Sequence, residues 1–96
     1  MKKLNKFSVH GTAVGSGQNI QLDEVSILAD PQTIRELGVF LINASNEMSA
    51  HGLEHIHLQD IVEDFDYEAN VDFIALNNSL VRSLPDAERA SNDRAS

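Results

Sequence analysis

Between Ile34 and Met48 the apolar and small residues return every three or four positions. Ile34, Leu37, Gly38, Leu41, Ala44, Ser45 and Met48 make one stripe of a helix. Val39, Phe40 and Ile42 widen the apolar surface beyond it. The start is marked by Asp30, whose carboxylate can accept backbone N–H bonds, and by Pro31, whose missing donor costs nothing in the first turn. The end is marked by His51 in the last turn and Gly52 at the C-cap. The spacing predicts one long amphipathic helix over about residues 30–51.

Elsewhere the period is two. Phe7, Val9, Gly11 and Ala13 alternate with Ser8, His10, Thr12 and Val14, which predicts a strand over 4–14. Gly15-Ser16-Gly17 supplies turn residues that tolerate positive φ. A second strand is expected from Ile20 to Ala29. Its apolar phase switches from Ile20 and Leu22 to Val25, Ile27 and Ala29, so a β-bulge is expected at Asp23-Glu24. After the helix, Ile56 and Leu58 alternate with His55, His57 and Gln59; then Val71, Phe73 and Ala75 alternate with Asp72, Ile74 and Leu76. The expected fold is α+β, in the order β-β-α-β-β. It is a four-stranded, mostly antiparallel sheet with the helix packed on one face and the other face open to water or a partner. Residues 1–84 are expected to form a single compact domain. The small polar residues of 85–96 are expected to be a disordered tail.

At 96 residues the chain can bury roughly 60–65% of its unfolded surface, which suits one core without a deep substrate cavity. Cysteine is absent, so disulfides and thiolate zinc sites are excluded. No stretch approaches the ~20 apolar residues of a membrane span. Met1-Lys2-Lys3-Leu4-Asn5-Lys6 leads into no apolar signal core, so the expected location is the cytoplasm, with no membrane partner. The net charge is −8. Between Arg35 and Arg82 there is no Lys or Arg, while Glu36, Glu47, Glu54, Asp60, Glu63, Asp64, Asp66, Glu68 and Asp72 all fall there. That surface repels phosphate backbones, which excludes nucleic acid as a direct partner, and it attracts a basic protein.

Candidate chemistry is sparse. His55 and His57, two apart on one strand face, look like a zinc pair, with His10 or Asp60 as a conceivable third ligand. A metallohydrolase site needs further ligands from other elements, and the chain has four histidines in all, so His55 and His57 are read as contact residues and no metal or other cofactor is expected. Gly11, Gly15 and Gly17 precede a strand and not a helix, and no lysine follows in phosphate-loop position. The carboxylates of 60–68 lie in a solvated linker without an apolar pocket, so no catalytic pair is assigned and the chain is not read as an enzyme. Phe65 and Tyr67 among those carboxylates combine anchoring area with electrostatic steering.

Two runs together resemble a known family. The first is Ile27-Leu28-Ala29-Asp30-Pro31-Gln32-Thr33-Ile34-Arg35-Glu36-Leu37-Gly38-Val39-Phe40-Leu41, with Glu47-Met48 after it. The second is His55-Ile56-His57-Leu58-Gln59-Asp60, followed by Val71-Asp72-Phe73-Ile74-Ala75. Over roughly residues 22–77 the pattern resembles the immunity protein 32 family of bacterial polymorphic toxin systems. The resemblance implies an inhibitor that binds and neutralises a cognate toxin domain, and it marks His55, His57, Gln59 and Asp60 as characteristic positions. With the acidic linker, the expected partner-binding residues are His55, His57, Gln59, Asp60, Asp64, Phe65, Asp66 and Tyr67. A basic, nuclease-type toxin would suit the acidic surface. The alternatives are a module that self-associates as a homodimer through the open sheet face or a strand edge, and a metal-binding protein.

Overall fold

The computed structural model describes residue 1 and residues 3–81. The expected tail at 85–96 lies outside the described residues. The chain divides into two compact units, one holding Met1–Ile27 and the other Leu28–Arg82. The class is α+β, as the two periods imply. The elements run β1 (Val9–Thr12), β2 (Asn19–Leu22), α1 (Pro31–His51), β3 (His55–His57), a 3-10 turn (Leu58–Asp60) and β4 (Ile74–Leu76).

The first unit is a hairpin. β1 and β2 pair antiparallel, with Val9 opposite Leu22 and Thr12 opposite Asn19. The turn closes through Ser16 N–H donating to Ala13 O at 2.9 Å, and Gly15 takes φ 83°, a left-handed value that a side chain would oppose. Ser16 Oγ then accepts from Gln18 N–H at 3.1 Å. The expected hairpin is present, but the expected bulge is not. β2 stops at Leu22, and Asp23 and Glu24, poor strand formers, end it. The phase switch in the sequence marks the end of a strand, not a slip within one.

In the second unit α1 matches the sequence pattern at both ends. Asp30 is the N-cap, and its Oδ1 accepts from Thr33 N–H at 2.7 Å. Gly52 is the C-cap at φ 63°, its N–H donating to Met48 O at 3.0 Å. Gln32 Nε2 donates to Glu36 Oε2 at 2.7 Å, one turn further along. The buried face overlaps the expected stripe, with Leu37, Gly38, Ala44 and Met48 among the less exposed positions, and takes in Phe40 beside it. Only Phe40, 5% exposed, and Ala44, 3% exposed, are buried among the described residues. Phe40, expected on the flank, is the centre of the core, while Ile34 and Leu41 of the expected stripe stay exposed. Spacing alone could not tell which edge of a broad apolar arc would be covered.

The four strands form two separate two-stranded antiparallel sheets, β1–β2 and β3–β4, instead of one four-stranded sheet. In the second, His55 stands opposite Leu76, Ile56 opposite Ala75 and His57 opposite Ile74. Each strand is shorter than its alternating run. β3 ends at His57 because Leu58, Gln59 and Asp60 turn into a 3-10 helix, with Leu58 O accepting from Ile61 N–H at 3.0 Å and from Val62 N–H at 3.1 Å. Three-residue strands leave little ladder for wide sheets.

The helix start titrates. The Thr33 backbone N–H, and after it the Thr33 hydroxyl, hold the Asp30 carboxyl below its ordinary value. A depressed folded pKa contributes stability that is present above the unfolded value of about 3.9 and is lost as pH falls through the folded one. Asp30→Ala should therefore lower the melting temperature at neutral pH and shrink the difference from wild type under acid. Asp30→Asn, which keeps the cap acceptor, should hold the helix with a weaker acid dependence. Equal melting temperatures of wild type and Asp30→Ala at neutral pH, followed by circular dichroism, would show that the cap does nothing.

Candidate functional site

The ladder between β3 and β4 sorts its residues into two faces. Asn77 N–H donates to Glu54 O and Leu58 N–H to Phe73 O, both at 2.8 Å. Alternation in an antiparallel pair then puts His55, His57, Ile74 and Leu76 on one face, and Ile56 and Ala75 on the other with Leu58 and Phe73. The two histidines do share a face. Their rings meet edge to face, with centroids 5.3 Å apart and planes at 81°. His55 is exposed and lies beside Glu54, Nδ1 to Oε1 at 3.6 Å.

His57 is held differently. Its Nδ1–H donates to Asp72 Oδ2 at 2.7 Å, and Asp72 Oδ1 accepts from Gln59 N–H at 2.9 Å. Both side chains are half-buried, at 28% and 21% exposure. One carboxylate thus clamps the end of β3 and the 3-10 turn to the residues entering β4. Asp72 was not singled out by the sequence reading. Its signal is the register: on an antiparallel pair with His57 opposite Ile74, position 72 falls opposite Gln59, on the face of the histidines. Asn77 fastens the other end. Its Nδ2–H donates to Leu53 O at 3.1 Å, and its Oδ1 accepts from Ser79 N–H at 3.0 Å.

The acidic linker is built, not slack. Asp66 Oδ1 accepts from Glu68 N–H at 3.0 Å and Ala69 N–H at 3.1 Å, and Asp66 O accepts from Asn70 N–H at 2.9 Å. Asp66 therefore nucleates a turn. Asp64 sits at φ 52°, among the described residues the one non-glycine with positive φ, in a region that Asp and Asn tolerate best. Phe65 and Tyr67 stack edge to face, centroids 5.1 Å apart; Phe65 is half-buried and Tyr67 exposed. Asp60 ends the 3-10 turn with its side chain exposed. His10 belongs to the other unit, its Nε2 3.0 Å from Ser8 Oγ. Among the described residues, His, Asp and Glu nowhere gather in a group of three that could hold a metal ion.

The helix with its Asp-Pro start, the histidine strand and the segment from Asp72 into β4 are among the parts that a family profile described as Immunity protein 32 matches, over residues 24–78. The chain belongs to the immunity protein 32 family. No curated protein and no solved structure matches it. Membership makes it an immunity protein, with a cognate toxin as the implied partner and no implied catalysis of its own. Among the described residues, no helix is long and apolar enough to cross a membrane.

Asp72→Ala should free both partners of the clamp. Hydrogen exchange at the Gln59 amide is expected to speed up by about tenfold or more, the effect of losing a hydrogen bond to a charged group. Asp72→Asn should retain protection at Gln59, because its Oδ1 still accepts. Unchanged exchange at Gln59 in Asp72→Ala would remove the clamp from the account.

Proposed function

We propose that this immunity protein neutralises a basic toxin domain, possessing nuclease activity, by covering it with the acidic linker and the adjoining end of the β3 face. The observation that carries this reading is the run of exposed residues Asp60, at the end of the 3-10 turn, Asp64, at the left-handed position, and Tyr67, in the turn that Asp66 holds in shape. A nuclease must hold phosphate and so presents positive charge; an ordered acidic surface competes for that charge without any chemistry. Steering by the carboxylates speeds the encounter, and Phe65 with Tyr67 supplies the anchor. The site of action under this reading is the cytoplasm of the producing cell.

Within the expected contact set the roles divide. His55, Asp60, Asp64, Phe65 and Tyr67 are the residues we assign to contact. His57, Gln59 and Asp66 are positioning residues, since each is engaged in a bond that shapes the surface. Co-expression with the toxin encoded beside its gene should restore growth of a cell that the toxin alone kills; continued killing would sink the immunity reading for that toxin.

The acidic linker has its own test. Full charge reversal at Asp66 would break the turn it caps, and a lysine at Asp64 would meet the left-handed backbone. Asp64→Asn and Asp66→Asn remove the charges while keeping the backbone fit and the turn acceptor. The double variant is expected to associate with the toxin a few-fold more slowly at low salt, with the gap closing as salt rises. An association rate indifferent to both variant and salt would take the linker out of the interface.

A further inference from the structure

β4 is an edge with unused hydrogen-bonding capacity. The ladder bonds of Phe73 and Asn77 point to β3, so by alternation Ala75 also points to β3, while the backbone N–H and C=O of Ile74 and Leu76 point away from it. No third strand takes them among the described residues. Their side chains are exposed too, Ile74 at 50% and Leu76 at 42%. A two-stranded sheet of three-residue strands is marginal alone and is strengthened by further strands.

Proteins protect such edges with charge. In this unit β3 has it, being entered directly from Glu54 and left towards Asp60. β4 reads Ile74-Ala75-Leu76 and continues into Asn77-Asn78. The one carboxylate nearby, Asp72, is already bonded to His57 and Gln59.

We propose that β4 pairs antiparallel with β4 of a second copy of this chain about a twofold axis through Ala75, giving a four-stranded sheet in the order β3-β4-β4-β3. In this register Ile74 of each copy lies opposite Leu76 of the other, and the outward backbone groups of both are satisfied. On the outer face four aliphatic side chains meet at the centre. On the inner face Ala75, the smallest side chain of the strand, lies on the axis against its own copy. Isologous pairing is the commonest way two identical chains meet.

Charge selects this partner. Each copy carries −8, so two copies can meet closely only at an uncharged strip, and residues 73–81, which hold β4, are one such strip. A basic toxin is drawn to the carboxylates of the linker and gains nothing electrostatic from β4. The equivalent self-pairing of β3 would bring Glu54 and its copy into the same seam. The strip is short and falls under the ~1,200 Å² of stable interfaces, so the association is weak and concentration-dependent.

Sedimentation equilibrium of the pure full chain, from micromolar to millimolar, tests the proposal without any toxin and so separately from the immunity reading. Wild type is expected to pass from monomer to dimer, with the Ile74 and Leu76 amides gaining exchange protection as the dimer forms. Leu76→Lys, which sets like charges across the axis, is expected to weaken dimerisation by about tenfold or more with an unchanged far-ultraviolet spectrum. Ile74→Pro removes only an outward donor and should act in the same direction; if it fails to fold, Leu76→Lys decides. A monomer at every concentration, or a dimer that survives Leu76→Lys, overturns the proposal. So does a monomeric wild type whose Ile74 and Leu76 amides become protected only on adding the toxin, since the edge would then belong to the toxin.

Discussion

With both oxygens engaged, the Asp72 carboxylate joins three parts of the chain that would otherwise move apart: the histidine strand, the 3-10 turn that follows it and the entry to β4. Two short strands gain little from their own ladder, and no large apolar side chain of the pair is fully buried. A half-buried hydrogen-bonded clamp on a carboxylate is worth more to such a pair than to a well-packed sheet, because it fixes register where packing does not. The edge-to-face contact of His55 with His57 follows from it, since one of those rings is held by Asp72. So does the position from which the acidic linker departs.

The second unit therefore divides its labour by residue type. Phe40 and Ala44 provide the buried apolar contact, Asp30 and Gly52 set the helix ends, and Asp72 and Asn77 close the strand pair at either end. The residues left for a partner are those with no such duty. This is the sense in which a small immunity protein can be both a fold and a surface: the polar groups that build the fold are distinct from the polar groups that face outward, though they alternate along the same dozen positions.

What the sequence showed follows the range of the interactions. The caps of α1 depend on neighbours within one turn, so Asp30, Pro31 and Gly52 were legible one residue at a time. The first hairpin was legible from its glycine turn. The shared face of His55 and His57 needed only period two. The sheet architecture was not legible, because a four-strand order depends on pairings that local alternation does not encode. The stripe of α1 was legible in Leu37, Gly38, Ala44 and Met48, but the burial of Phe40 in place of Leu41 was missed, since the two are equally apolar and only the tertiary surroundings choose between them. Asp72 was hidden among nine acidic residues of a segment without lysine or arginine. Its role appears only when strand register places it opposite Gln59. The family resemblance, carried by the helix start and the histidine strand, reached further than any of these, because it does not depend on knowing the register.

The left-handed backbone at Asp64 bears on how such a surface can change over generations. The carboxylates of Glu63 and Glu68 hold no backbone group in place, so under the proposed contact the charge there can vary freely as toxins vary. At Asp64 the conformation admits little beyond Asn and Gly, and at Asp66 the turn asks for a short side chain with an acceptor oxygen. Substitutions at those two sites are thus channelled towards residues that lose charge but keep the bend. Were the linker the contact proposed above, a lineage adapting to a new toxin would repaint it while inheriting its curve.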